Sequence, residues 1–234
     1  MTGTPHRGHA VVTGASSGIG AAVAARLLRE GWSVTGLSRT APALAAPGFA
    51  HLGLDLLDAD ALRAGLAGLR ATALVHAAGV LRVGRLGELD PAAGEAMWRL
   101  HVDAAAVLAD ALVPGMEAGG RVVLIGSRVA AGAAGRGQYA ATKAALVGLA
   151  RSWAIELAPR GVTVNVVAPG ATETPMLRDP ARQASSPRMP PIGRFVRPEE
   201  VAALTAFLLS PEAGAITGQQ LVVCGGASLG AGGT

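Results

Sequence analysis

Along this chain, short apolar runs alternate with longer amphipathic stretches. The runs are His9–Thr13, Trp32–Leu37, His51–Leu54, Thr72–Val75, Arg121–Ile125, Val162–Val167 and Gln220–Val223. They are continuous rather than alternating, the pattern of strands covered on both faces. Between them, helical periodicity predicts helices over Ala21–Glu30, Asp60–Leu69, Pro91–Met116, Tyr139–Leu157 and Pro198–Leu209. The punctuation agrees. Gly31 stands where a helix C-cap is needed, Pro91 suits a first turn, and Pro159 and Gly161 end the fourth helix. Residues 171–197 are rich in Pro, Arg and Ser and read as a loop. The order predicts an α/β fold: one doubly wound domain over residues 1–234, with a parallel sheet flanked by helices on both faces. Ligands are expected at the strand C-terminal ends.

The first strand ends abruptly in Gly14-Ala15-Ser16-Ser17-Gly18-Ile19-Gly20, and a helix follows at once. Strand, glycine loop, helix and strand form the context in which such a loop becomes a phosphate-site candidate. Glycines let the backbone approach a pyrophosphate, and the helix start supplies free N–H groups and a positive dipole end. The spacing, Gly14-x3-Gly18-x-Gly20, differs from the commoner Gly-x-Gly-x-x-Gly.

Tyr139 is the chain's one tyrosine and Lys143 its one lysine, the other basic residues all being arginine. On a helix they share a face at i and i+4. An ammonium beside a phenol favours the phenolate, and a phenol tuned in this way can give or take a proton at a reacting oxygen.

Composition narrows the classes. Half of the residues are hydrophobic but only 3% are aromatic, so the core is built from Ala, Val and Leu. The net charge is +4, with scattered arginines and few rings for base stacking, which speaks against nucleic acid as a partner. The lone Cys224 excludes an intrachain disulfide and fits a reducing compartment. Met1–His9 lacks an apolar signal core, and no stretch of about 20 residues is uninterruptedly apolar. A cytoplasmic protein without membrane association is expected. Charged residues make up 15%, low enough to expect a partner subunit over part of the surface.

Thr13-Gly14-Ala15-Ser16-Ser17-Gly18-Ile19-Gly20, Ala77-Ala78-Gly79, Ser127, Tyr139-x3-Lys143, Val164-Asn165 and Pro169-Gly170 together resemble a short-chain dehydrogenase/reductase. Gly193-Arg194-Phe195, Glu199-Glu200-Val201-Ala202, Thr217-Gly218-Gln219 and Gly225-Gly226 extend the likeness over practically the whole chain. The resemblance implies a Rossmann-type sheet of seven parallel strands and hydride transfer between a nicotinamide and an alcohol/carbonyl pair. It makes Tyr139 the general acid/base. Lys143 would hold the nicotinamide ribose and tune the phenol, and Ser127 would bond the substrate oxygen. Gly14, Ser16, Ser17, Gly18, Ile19 and Gly20 would cradle the dinucleotide. Ser38, Arg39, Asp55 and Leu56 would meet its adenosine end, His76, Ala77, Ala78 and Gly79 would line it, and Pro169, Gly170, Thr172 and Thr174 would lie along the nicotinamide. A homo-oligomer, dimer or tetramer, is implied, with Pro91–Met116 and Tyr139–Leu157 as candidate interfaces. No metal is expected.

Three departures stand out. His76 replaces the Asn usual before Ala77-Ala78-Gly79, and reads as a structural histidine. His101 stands where the long helix commonly carries an Asn that helps hold a proton-relay water; a neutral imidazole both donates and accepts, so a relay role is open. The gap from Ser127 to Tyr139 is one residue short. Cys224, where an acid is frequent, reads as packing. At the second strand's end, Leu37-Ser38-Arg39-Thr40 has an arginine and no acid, favouring NADP(H) over NAD(H). Pro175–Arg197 reads as a flap in which Arg178, Arg182 and Arg188 face only Asp179; either a carboxylate, phosphate or carrier-bound acyl group is attracted there, or the loop is ordinary solvated surface. The leading expectation is an NADP(H)-dependent ketone or 3-oxoacyl reductase. The alternatives are an NAD-dependent alcohol dehydrogenase working oxidatively, or a dinucleotide-binding protein without turnover.

Overall fold

A computed structural model describes residues 7–179 and 188–229. Seven strands form one sheet: β1 His9–Thr13, β2 Ser33–Ser38, β3 Phe49–Gly53, β4 Ala73–His76, β5 Arg121–Ile125, β6 Thr163–Pro169 and β7 Gln220–Val223. Their order is β3-β2-β1-β4-β5-β6-β7, with every neighbouring pair parallel. The helices are α1 Gly18–Arg29, α2 Ala59–Leu66, α3 Pro91–Trp98, α4 Ala104–Leu112, α5 Gly137–Leu157 and α6 Pro198–Leu209.

Why the strands lack polar alternation is visible in their packing. Val11, Leu74, Val122 and Leu124 point into one apolar layer with α2, α4 and α5, while Val12, Val75, Val123 and Ile125 point into the opposite layer with α1 and α6. In the central strands both faces are dry, so most successive residues are apolar, whereas the edge strands β3 and β7 keep exposed positions. The chain reverses its direction of travel across the sheet between β1 and β4. The loops after these strands part there and open a crevice at the strand C-terminal ends.

Three boundaries depart from the periodicity reading. α1 begins at Gly18, so Gly18, Ile19 and Gly20 belong to the helical first turn and not to the loop. α2 ends at Leu66, three residues early. Pro91–Met116 is not one regular helix: Arg99–Asp103 is a π segment, with the Ala104 N–H bonded to the Arg99 carbonyl, and Val113–Gly115 tightens to 3-10 geometry. Periodicity cannot resolve one inserted residue per turn, and such segments concentrate at functional sites. Of the flap, 180–187 lie outside the described residues, Arg182 among them. Among the described residues no helix is long and apolar enough to cross a membrane, and no cluster of three metal-ligating side chains is found.

Candidate active site

The crevice has two connected parts. The larger, about 470 Å³, lies over β1, β2 and β4. Its floor is the turn from β1 into α1, where Gly14, Ser16, Ser17 and Gly18 line the space together with Ile19. Gly14 takes φ +68° and packs against Ala78: a Cβ there would lie 2.9 Å from the Ala78 Cα. That close approach is what the glycine provides. The N-cap residue Ser17 makes no side-chain capping bond, so it leaves the first-turn N–H groups of α1 for an incoming anion. A pyrophosphate fits this cradle. Gly20 serves otherwise. It does not line the crevice, and a Cβ on it would overlap the Gly14 carbonyl, so its bareness lets α1 pack on the loop.

At the far end of this space stand Arg39 and Asp55, both exposed, with buried Leu56 beside them. Ser38 lines the wall, but its hydroxyl donates to the Thr40 carbonyl at 2.8 Å. Ala77, Ala78 and Gly79 close the side nearest β4. His76 does not take part in the lining. It is fully buried, and its ring is turned inward.

The smaller part, about 90 Å³, holds Ser127 and Tyr139, with Pro169, Gly170 and Thr172 on the β6 side. Ile19, Thr174 and Met176 line both parts and form the junction. Ser127 follows β5 and caps a short 3-10 turn over Arg128–Ala131; its Oγ accepts from the Val129 N–H at 3.1 Å. Tyr139 sits in the first turn of α5, and Lys143 follows one turn later, both buried. The Lys143 ammonium lies 5.9 Å from the Tyr139 ring centroid and donates to the Ile125 carbonyl at 2.9 Å. Burial lowers its pKa from 10.5 to about 7.

The two histidines lie behind this pair and are fully committed. Thr13, at the end of β1, accepts from the Ala77 and Ala78 N–H groups, each at 3.0 Å. Its own proton therefore goes to His76 Nδ1 at 3.0 Å, which places the imidazole hydrogen on Nε2, donating to the Leu100 carbonyl at 3.1 Å. His101 has the opposite tautomer. Its Nε2 accepts from the Val80 N–H at 3.0 Å, so Nδ1–H donates to Thr142 Oγ1 at 2.8 Å, and Thr142 donates to the Tyr139 carbonyl at 2.9 Å. The His101 ring also meets the Tyr139 ring edge-on at 5.7 Å. Burial, and then the Lys143 charge, lowers the His76 pKa to about 3 and holds His101 well below its usual value; both rings are neutral. With both nitrogens bonded, the His101 ring clamps the Gly79–Val80 turn to the turn of α5 that carries Tyr139.

Several lining residues carried no sequence signal, namely Arg82, Val80 and Met176 in the nucleotide part and Arg128 and Arg136 in the smaller one. Thr13 and Thr142 had one: each is a hydroxyl on an otherwise apolar stretch, which burial forces to find partners. Cys224 is buried behind Gly170 and contacts the Ser228 hydroxyl at 3.0 Å, a packing position with one polar bond.

A family model described as enoyl-(acyl carrier protein) reductase matches residues 14–228. The 3-oxoacyl-[acyl-carrier-protein] reductase of Vibrio cholerae is 37% identical over 235 residues, covering 93% of this chain and 96% of that protein. The short-chain reductase protein NovJ of Streptomyces niveus is 35% identical over 246 residues, covering 93% and 92%. Among solved structures, the ligand-free aldohexose dehydrogenase of Thermoplasma acidophilum superposes with a TM-score of 0.89 at 29% identity, covering 97% of this chain and 96% of that one. A short-chain dehydrogenase of Burkholderia cenocepacia, solved in complex with NADP, gives 0.84 at 33% identity, covering 96% and 99%.

Proposed function

The chain belongs to the short-chain dehydrogenase/reductase family of NAD(P)-dependent oxidoreductases acting between CH–OH and C=O groups, and from that premise we propose that it is an NADP(H)-dependent reductase of ketones or 3-oxoacyl groups. The observation that carries this is the shared wall of the smaller cavity. Ser127 and Tyr139 both line it, and the buried Lys143 lies one helical turn behind Tyr139.

Bound nicotinamide supplies the hydride; the protein handles the oxygen. Ser127 Oγ already accepts from Val129, which leaves its own hydrogen for the substrate oxygen as negative charge develops there. Tyr139 gives that oxygen its proton. Lys143, fixed by Ile125, holds the ribose hydroxyls and attracts the tyrosine oxygen as its proton leaves. Gly14, Ser16, Ser17, Gly18 and Ile19 cradle the pyrophosphate, and Pro169, Gly170, Thr172 and Thr174 support the nicotinamide. Arg39 on the rim supports a 2′-phosphate, for which its planar fork is suited. The relatives named for 3-oxoacyl reduction and the NADP-bound neighbour point the same way.

Tyr139→Phe is expected to lower turnover by about 10²- to 10⁴-fold across a carbonyl panel while NADPH still binds. Retained turnover refutes the assignment. The protein is also a homo-oligomer in this reading. Ile155 on α5 is 78% exposed and Trp98 on α3 is 44% exposed, apolar side chains on the two helices expected to form the interface. Sedimentation as a monomer refutes it.

A further inference from the structure

His51 stands behind the adenosine end of the crevice, whose wall there is formed by Ser38, Arg39 and Thr40. On β3 it lies opposite Gly36, so its side chain shares a sheet face with Ser38, the last β2 residue of the pairing. The half-buried ring runs forward past Gly53, where an added Cβ would lie 3.8 Å from its Cε1. Its Nε2 is 3.0 Å from the Ser38 carbonyl and 3.2 Å from the Ser38 hydroxyl. A carbonyl only accepts, so Nε2 carries the hydrogen and shares it between the two oxygens. The hydroxyl's own hydrogen goes to the Thr40 carbonyl at 2.8 Å. Imidazole, serine and carbonyl thus bracket Arg39. Among the described residues, the Ser38–Thr40 bond is the one hydrogen bond that reaches residues 39–45. Ser38 is buried, whereas Arg39 and Thr40 are exposed, so the segment that carries the guanidinium is tied down at this bracket.

We propose that His51 is a positioning residue for cofactor selection: through the Ser38 carbonyl and hydroxyl it fixes the turn that presents Arg39 to the 2′-phosphate of NADP(H). This rests on the NADP(H) reading above and adds to it the residue that sets the arginine's place. His51 acts from behind the wall and not on the cofactor. An arginine on an untethered turn loses backbone freedom when it closes on a phosphate, and that loss is subtracted from the affinity. A turn already fixed from behind has less freedom to lose, so more of the charge-assisted contact appears as binding. NADH has no phosphate at that position and draws nothing from the arrangement. The effect of His51 is therefore on the difference between the two cofactors.

The test titrates the protein with NADPH and with NADH by fluorescence. Wild type is expected to bind NADPH the more tightly. His51→Phe keeps a ring and removes the donor. It should raise the NADPH Kd about three- to tenfold, the worth of one hydrogen bond, and leave the NADH Kd unchanged. His51→Gln, whose amide nitrogen lies as many bonds from Cα as Nε2 does, should restore most of the loss. In an Arg39→Gln background, His51→Phe should cost NADPH nothing further, because the group it positions is gone. Turnover at saturating NADPH should keep its wild-type value, the change falling on KM for NADPH. His51→Leu takes the place of the Phe variant if that one does not fold. Equal weakening of both cofactors marks a merely structural role and overturns the proposal. So does an NADPH loss that persists without Arg39 or that His51→Gln does not restore. An NADPH preference that survives His51→Phe refutes the proposal alone, whereas a wild type without that preference refutes the NADP(H) reading and the proposal with it.

Discussion

Lys143 is a buried amine without an acidic partner among its described contacts, and that makes the stability of the cofactor-free protein depend on alkaline pH. Its pKa falls from 10.5 to about 7 on folding, with burial as the cause. Between those values the unfolded chain holds more protons than the folded one, so stability rises with pH across the window; below about pH 7 both states are charged and the cost of burying the ammonium is carried in full. At ~1.4 kcal/mol per pH unit, the span from 10.5 to about 7 corresponds to about 5 kcal/mol. Lys143→Met removes the charge and keeps the volume. It leaves the Ile125 carbonyl without its donor, a loss of about 1–3 kcal/mol that does not vary with pH. The assay is thermal unfolding of the two proteins from pH 6 to 11, both carrying Tyr139→Phe so that the phenol does not titrate. Relative to the Met variant, the lysine protein should gain about 10 °C or more between pH 7 and 10.5, at about 2–4 °C per kcal/mol for a chain of this size. A Tm difference that stays constant through that range refutes the burial argument.

The His76 ring works in the acid direction. Its folded pKa of about 3 lies below the unfolded 6.5, so stability is lost as pH falls from 6.5 towards 3, by up to about 5 kcal/mol; His76→Asn should flatten the urea midpoint over that range, and an unchanged slope counts against it. His101→Asn, able to accept from the Val80 N–H, should retain most of the kcat/KM that His101→Ala loses, and equal losses would remove the clamp role. Arg39→Asp should weaken NADPH binding by about ten- to a hundredfold while sparing NADH, measured by fluorescence titration; equal effects on both cofactors refute the phosphate contact. Gly20→Ala, driven into the Gly14 carbonyl, should lower stability by about 1–3 kcal/mol and abolish dinucleotide binding, and a fully active variant would show that the loop tolerates the shift.

Much of the architecture was legible because its causes are local or periodic. Continuous apolar runs at Val11, Leu74 and Val122 demand two covered faces, and two covered faces with helical connections demand a parallel sheet. Tyr139 and Lys143 share a helix face by arithmetic alone, and the β1 loop declares itself by glycines before a helix. What linear order does not carry is which groups burial forces together from distant strands and turns. Thr13 meets His76 across 63 residues, and His101 reaches Val80 and Thr142 from a π segment invisible to periodicity. Only in that assembly do both nitrogens of His101 become occupied. The arginine lining of the small cavity has the same origin. Arg128 and Arg136 carry no signal in the sequence; the turn after β5 and the start of α5 bring them to the wall that holds Ser127 and Tyr139. Local chemistry determined the elements and the candidate pair; desolvation, which depends on what packs against each group in three dimensions, decided which charges, protons and hydrogen bonds that pair lives with.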